Sequence, residues 1–174
     1  RITAGQGDAD TPSISGDGRY VAYVAREAQP THPGSWDHVF VWDRTTGETT
    51  RITPSTSAAR SDARISADGG HVTYLSMGPP DSSGVLSEEV YVWDRATGSN
   101  TALTEGSGGG HTAPTISGDG RFVAFVSGSS HLVPGDDNAT ADVFVWDRTD
   151  DTWSRLACGT GFGCRGRASI SADG

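Results

Sequence analysis

The sequence predicts an all-β protein, a β-propeller of four-stranded antiparallel blades, because two phrases recur along it at one spacing. Ile-Ser-x-Asp-Gly is found four times, at residues 14–18, 65–69, 116–120 and 170–174. Val-aromatic-Val-Trp-Asp-Arg is found three times, at residues 39–44, 90–95 and 143–148. Successive copies lie 51 to 54 residues apart, a period typical of propeller blades. No segment keeps a 3.6-residue apolar period, so no helix is predicted.

Each repeat is predicted to hold four strands, a to d in chain order. Strand a carries Ile between small polar residues, and a tight turn follows in which Asp bonds the backbone ahead and Gly allows positive φ. Strand b alternates apolar and smaller residues, as at 20–24 and 122–126. Strand c is apolar on both faces, which suits a strand buried between neighbouring sheets. A second turn, residues 45–47 in the first repeat, leads to strand d at 49–52.

The repeats divide a single domain, residues 1–174, into blades at about 1–52, 53–103 and 104–156, with the start of the next blade at 157–174. Three blades and one strand are too few for a ring, because propellers typically have about 4 to 8 blades. We therefore expect a partial propeller that further blades complete to about 6–8. Their source is open: a longer protein of which this is a fragment, a second copy of the chain, or a second fragment left by cleavage.

These repeats resemble a known family. The Ser-x-Asp-Gly turn, the apolar strand b and the Val-x-Val-Trp-Asp-Arg strand are similar to the TolB-type, WD40-like (PD40) β-propeller repeat. The resemblance covers the whole chain in register and implies the propeller fold. Its motifs are structural and imply little about chemistry. True WD40 repeats also end strand c with Trp-Asp, but their usual period of about 40 residues is shorter.

Charge and hydropathy exclude two classes of partner. The chain has 22 acidic residues against 13 basic ones, all Arg, for a formal charge of −9. Such a surface repels phosphate backbones, so nucleic-acid binding is not expected. No apolar run approaches the roughly 20 residues of a membrane-spanning helix. A protein is the partner that we expect.

Strand order predicts where that partner binds. The a–b and c–d turns share one face of the disc, here the turn face, and they are short and repeated. The b–c and d–a connections share the other, here the long-loop face, and they differ between repeats. The b–c connections are predicted at about 26–37, 76–88 and 127–141, and the d–a connections at about 4–11, 54–62, 105–112 and 158–166. Binding residues concentrate on long loops of a rigid scaffold, although tolerant surface loops without a ligand remain the alternative.

Four residues of the long-loop face are candidate partner contacts: His32, Trp36, His111 and His131. Trp36 does not recur from repeat to repeat, which favours an exposed contact in a loop. The recurring tryptophans Trp42, Trp93 and Trp146 are instead predicted to pack between blades.

The third b–c loop predicts a cation site. Asp136, Asn138, Thr140 and Asp142 stand two residues apart, an oxygen-rich spacing able to wrap a hard cation such as Ca²⁺. The loop departs from an EF-hand, since its sixth position is Ala141 rather than Gly. A turn whose side chains satisfy its own backbone is the alternative. Residues 138–140 also match an N-glycosylation sequon.

Cys158 and Cys164 are the only cysteines, with five residues between them. A local disulfide is predicted, and it implies an oxidising compartment and a secreted protein. Two free thiols are the alternative. A pair of cysteines is too small a set for a structural zinc site.

The sequence shows no catalytic constellation. It contains no G-x-S-x-G motif, its histidines stand at no metal-ligand spacing, and strand a offers no paired carboxylates. These observations predict a non-enzymatic extracellular module that binds a protein. Two alternatives stay open. One, implied by the resemblance, is the gating propeller of a prolyl-oligopeptidase-like serine hydrolase whose catalytic domain lies elsewhere; the other is a propeller that binds a small ligand or carbohydrate.

Overall fold

The computed structural model describes residues 9–28, 35–54, 59–78, 86–108, 110–138, 140–159 and 163–174. This described part contains twelve strands and no helix, and hence no helix that could span a membrane. In chain order the strands are β1 (Ala9–Ile14), β2 (Tyr20–Ala28), β3 (Ser35–Asp43), β4 (Thr49–Arg51), β5 (Ala59–Ile65), β6 (His71–Met77), β7 (Glu88–Asp94), β8 (Asn100–Ala102), β9 (His111–Ile116), β10 (Phe122–Ser127), β11 (Asp142–Asp147) and β12 (Thr152–Leu156). They form three antiparallel sheets, β1-β2-β3-β4, β5-β6-β7-β8 and β9-β10-β11-β12, which we number as blades 1 to 3.

The first strand of each blade is its innermost strand. β5 packs against β1, β2 and β3 of blade 1, and β9 packs against β5, β6 and β7 of blade 2. Because the inner strands lie side by side and each sheet runs outward from them, the blades are arrayed about a common axis. The three sheets do not close into a ring. The chain is therefore a partial β-propeller of four-stranded antiparallel blades, as predicted.

The Ser-x-Asp-Gly phrase is a self-contained turn. Ser15 Oγ donates to Asp17 Oδ1 at 2.6 Å and accepts the backbone N–H of Tyr20 at 3.0 Å, while Asp17 Oδ1 accepts the N–H of Arg19. These hydrogen bonds, with that of Ser15 first, lower the pKa of the Asp17 carboxyl. Gly18 has φ +69°, which favours glycine. The same hydroxyl-to-carboxylate bond joins Ser66 to Asp68 and Ser117 to Asp119.

The Trp-Asp-Arg phrase ties the two turns of a blade together. Arg19, after the first turn, donates to Asp43 through both Nε and Nη2, the latter at 2.7 Å. The Arg of the phrase, which follows strand c, binds the a–b turn in return: Arg95 Nε donates to the carbonyl oxygen of Gly69 at 2.8 Å. In blade 3 the same two bonds join Arg121 to Asp147 and Arg148 to Gly120. The recurring charges therefore maintain the turn face.

Apolar side chains fill the spaces between blades. One cluster joins Ala22, Val39 and Val41 of blade 1 to Ile65, Val72 and Trp93 of blade 2. A second joins Leu75, Val90 and Val92 of blade 2 to Val123, Phe144 and Trp146 of blade 3. Trp93 and Trp146 are buried and Trp42 is half-buried, so the prediction that these tryptophans pack between blades is confirmed for the two that face a neighbouring blade.

The fourth Ser-x-Asp-Gly phrase docks on blade 3 without forming a strand. The N–H of Gly118 donates to the carbonyl oxygen of Ala172 at 2.9 Å, just as the N–H of Gly16 donates to Ala67 between blades 1 and 2. Residues 163–174 nevertheless contain no strand, which corrects the prediction of a first strand there. Each strand a pairs with its own strand b, and among the described residues this segment has no such partner.

The outer face of blade 3 is an open apolar groove of about 460 Å³. It is lined by Phe122, Ala124, Val143, Val145, Leu156 and Ile170, among others. The strand register makes the first five equivalent to Tyr20, Ala22, Val39, Val41 and Ile52, the side chains that blade 2 covers on blade 1. This groove therefore presents the same apolar positions that blade 1 buries against blade 2.

The first b–c connection is shorter than predicted. β2 runs to Ala28 and β3 starts at Ser35, so 26–28 and 35–37 belong to strands. Trp36 lies within β3, where its backbone pairs with Glu27. The prediction of a loop tryptophan is therefore wrong. The polar and charged residues at 26–28 and 35–37 indicated a loop, but they extend the two strands. The other two b–c connections, 78–87 and 128–141, lie close to the predicted bounds.

Candidate functional site

The long-loop face carries a groove of about 290 Å³ where blades 2 and 3 meet. One wall is the d–a connection of blade 2 and the other is the b–c connection of blade 3. Its lining consists of Leu103, Thr104, Glu105, Gly106, Ser107, His131, Leu132 and Trp153. Both walls are long connections of the kind predicted to bind a partner.

Three half-buried apolar side chains form the floor of the groove, whose exposed surface is mainly polar. Trp153, on β12, packs edge-on against Phe125 with 6.0 Å between ring centroids, and its ring centroid lies 6.4 Å from that of Trp146. Leu103 and Leu132 pack against the same cluster between blades 2 and 3. Rings locked in this way present a preformed surface, which lowers the entropic cost of binding.

The rim of the groove is polar. Glu105 and His131 are both exposed, and Glu105 forms no ion pair within the described part of the chain. Gly106, with φ +72°, lets the chain turn sharply beside Glu105. The groove therefore combines a small apolar floor with a polar, charged rim.

A buried carboxylate and imidazole lie beneath the groove. Thr104 Oγ1 donates to Glu89 Oε2 at 2.5 Å, Ser107 Oγ lies 3.2 Å from His111 Nε2, and that same nitrogen lies 3.7 Å from Glu89 Oε2. Burial lowers the pKa of His111, and the nearby Glu89 opposes this only in part. A catalytic triad needs its serine and its acid on opposite ring nitrogens, whereas here both face Nε2. The contact between Ser107 and His111 therefore does not have the geometry of a catalytic triad.

Glu89 has a fully buried polar counterpart in each of the other blades. His38, Glu89 and Asp142 each lie in strand c directly before the Val-aromatic-Val-Trp phrase, and their exposure is 1% or less. His38 Nδ1 lies 2.9 Å from Thr53 Oγ1, and the Thr53 hydroxyl also accepts the N–H of Val39. Glu89 uses Thr104 in the same way. The position thus anchors the end of strand d to the start of strand c.

The predicted calcium ligands form an internal ion-pair cluster. Arg155 Nε donates to Asp142 Oδ2 at 2.6 Å, and its Nη2 lies 2.9 Å from Asp136 Oδ1. Asn138 turns its amide NH₂, not its oxygen, toward Asp142. Burial acts to raise the pKa of Asp142, but the hydrogen bonds from Cys158 N–H, Arg155 and Asn138 outweigh it and leave the pKa lowered. Arg155 therefore supplies the positive charge beside these carboxylates, and the calcium site stays a prediction.

The predicted disulfide joins Cys158 to Cys164, with 5.2 Å between the Cα atoms. The N–H of Cys158 donates to Asp142 Oδ1 at 2.7 Å, and the N–H of Cys164 donates to the carbonyl oxygen of Ala141. The bridge therefore fixes the d–a connection of blade 3 against the start of β11. Of the sequon, Ala139 lies outside the described residues.

Of the four predicted partner contacts, the structure brings one to the groove. His131 is exposed on its rim. His111 is 1% exposed beneath the groove, so the prediction of a surface contact is wrong there: β9 starts at His111, two residues earlier than expected, and carries it inward. Trp36 belongs to β3, and His32 lies outside the described residues. Sequence reasoning missed Glu105, Leu132 and Trp153, since none stands in a recurring phrase.

Solved structures share this fold. TolB from Acinetobacter baumannii aligns with a TM-score of 0.64 at 22% sequence identity, over 96% of this chain and 36% of that one. The propeller domain of the Trilobed protease from Pyrococcus furiosus gives 0.59 at 17% identity, over 86% and 43%. Acylaminoacyl peptidase from Pyrococcus horikoshii gives 0.56 at 15% identity, over 89% and 25%. No family model and no curated protein matches the chain.

These likenesses define the class of protein: a partial β-propeller with the blade architecture of TolB and of peptidase propeller domains. The resemblance of the repeats to the TolB type is thus confirmed at the level of fold. The chain spans less than half the length of each of the three structures.

Proposed function

We propose that this chain is a non-enzymatic binding module that engages a protein partner through its long-loop face. The groove between blades 2 and 3 carries the proposal, because two long connections that differ between repeats meet there and place a polar, charged rim around three packed apolar side chains. The polar groups beneath it are bonded to one another, and within the described residues the Ser107–His111 pair has no acid on the second ring nitrogen of His111. Among the described residues, no other arrangement suits catalysis better.

Selection of binding peptides tests this proposal directly. A phage library of random peptides is panned against the immobilised chain, and each selected peptide is measured again on two variants. Leu132→Asp places a charge in the groove, while Ala96→Asp makes the same change on the exposed turn face. We expect most selected peptides to lose at least tenfold in affinity on Leu132→Asp and to be unchanged on Ala96→Asp. Peptides that bind both variants equally would contradict the proposal.

The proposal extends to location: the protein acts in an oxidising compartment outside the cytosol. The Cys158–Cys164 bridge supports this, since such bonds persist where thiols are not kept reduced. Thiol labelling of the protein isolated from its native source under denaturing conditions is the test. No label before reduction and two labels after it are expected.

Pairing between two copies is supported by the open face of blade 3. That face repeats the residues which blade 1 buries against blade 2, and Leu156 on it is 56% exposed. A second copy that supplies further blades would cover it. Sedimentation should show association at micromolar concentration that Leu156→Asp weakens; a monomer at every concentration would refute pairing.

The alternative function is the propeller part of a serine peptidase, which the likeness to peptidase propellers favours. In that case the groove would face a catalytic domain rather than a separate protein. A G-x-S-x-G motif in the uncut gene would support the alternative, and its absence there would remove it.

A further inference from the structure

We infer that the groove between blades 2 and 3 receives a cationic segment of the partner which inserts one large apolar side chain. This inference rests on the proposed function and names the chemistry of the partner. Three properties of the groove carry it: its size, the state of its hydroxyl groups, and the charge around it.

Size limits the occupant. At about 290 Å³ the groove lies just below the range for small-molecule sites, roughly 300–1,000 Å³. It accommodates one large side chain rather than a whole ligand of drug size. Leu103, Leu132 and Trp153 supply apolar contact for that side chain, and their packing on the core keeps the shape in place. A single buried anchor of this kind commonly dominates the affinity of an interface.

The groove hydroxyls argue against a sugar. Carbohydrates need free donors and acceptors along their binding site. The Thr104 hydroxyl already donates to Glu89, and the Ser107 hydroxyl is already within hydrogen-bond distance of His111. Satisfied groups gain little from a hydroxyl-rich ligand, whereas an apolar anchor does not require them.

The charge around the groove determines the charge that the partner segment must carry. Glu105 is exposed on the rim and forms no ion pair within the described ranges, and buried Glu89 lies just below. The basic residue of the adjacent strand, Arg155, is already engaged by Asp136 and Asp142. The chain as a whole carries −9. A field of this sign attracts cationic segments and repels acidic ones.

Four labelled probes test the inference by fluorescence anisotropy on the full chain. The first is the hexapeptide Arg-Arg-Leu-Trp-Arg-Arg. The second replaces its arginines by glutamates, the third replaces Leu-Trp by Ala-Ala, and the fourth is maltohexaose. We expect the first probe to bind at least tenfold more tightly than the other three, and its affinity to fall as salt is raised from 50 to 300 mM.

Matched variants locate the binding. Glu105→Gln should weaken the first probe by about threefold, as expected for an exposed ion pair. Glu48→Gln, the same change at an exposed site of the turn face, should have no effect. Leu132→Ser should weaken the first probe by more than fivefold, with near-UV circular dichroism verifying that the variant is folded. Equal binding of the acidic probe, preference for maltohexaose, or equal effects of Glu105→Gln and Glu48→Gln would each overturn the inference.

The two proposals fail differently. If library peptides are lost on Leu132→Asp but carry no excess of positive charge, only the inference about the partner's chemistry fails. If no selected peptide responds to Leu132→Asp, the proposed function fails as well.

Discussion

Truncation of one repeated valine measures how much neighbouring blades stabilise each other. Val21, Val72 and Val123 occupy the same site on strand b, each paired with the repeated tryptophan of strand c. Val72 and Val123 are fully buried between blades, while Val21, on the outer face of blade 1, is only half-buried. Replacement of valine by alanine therefore changes the local strand preference equally at the three sites. The sites differ only in whether a neighbouring blade covers the side chain.

The size of the effect follows from the groups removed. Alanine lacks two of the valine carbons, worth about 1.6 kcal/mol at about 0.8 kcal/mol for each buried methylene. The cavity left between blades raises the cost to about 2 kcal/mol for Val72→Ala and Val123→Ala. Val21→Ala should cost about half of that or less, because its side chain retains contact with water in the folded state.

Urea unfolding followed by tryptophan fluorescence is the assay. With a denaturant slope of about 2 kcal/mol per molar, the midpoint should fall by about 1 M for Val72→Ala and Val123→Ala and by about 0.5 M or less for Val21→Ala. Equal shifts at all three sites would refute the reasoning, since they would show that covering blades contribute nothing beyond the sheet itself.

Three further predictions concern charge and covalent structure. Arg121 lowers the pKa of Asp147 to about 2, so stability is expected to fall between about pH 4 and pH 2, and less so in Asp147→Asn, as melting temperatures would show. Burial lowers the pKa of His111, so the unfolded state takes up the proton first and stability should fall as the pH drops below about 6.5; His111→Gln should flatten this dependence in urea titrations. Reduction of the Cys158–Cys164 bridge should cost about 2 kcal/mol, measured by calorimetry with and without reductant.

Local chemistry explains why the blades could be predicted. The Ser15–Asp17 turn closes within six residues, and the alternation of strand b is complete within five. Because the same pattern recurs in every repeat, it could be distinguished from a chance match. Prediction failed where a segment lacked this strand pattern. The polar residues 35–37 indicated a loop, but they belong to β3.

The candidate site depended on contacts that no local pattern shows. Arg155 reaches Asp136 and Asp142 from the next strand, which turned a cation-like spacing into an ion-pair cluster. His111 lies in a d–a region of the sequence, yet the start of β9 carries it under the groove. Both outcomes are set by burial and by partners more than ten residues away.

The period, the four-strand blade, the chemistry of the turns and the charge of the surface can be derived from the amino-acid sequence, because each of these arises from neighbours along the chain. Which loops meet, and which polar groups are already satisfied, depends on how the blades pack. The groove forms because blades 2 and 3 pack side by side and bring residues 103–107 to residues 131–132 and 153. The free energy of that packing comes from apolar surface shared between separate repeats, and no single repeat contains it.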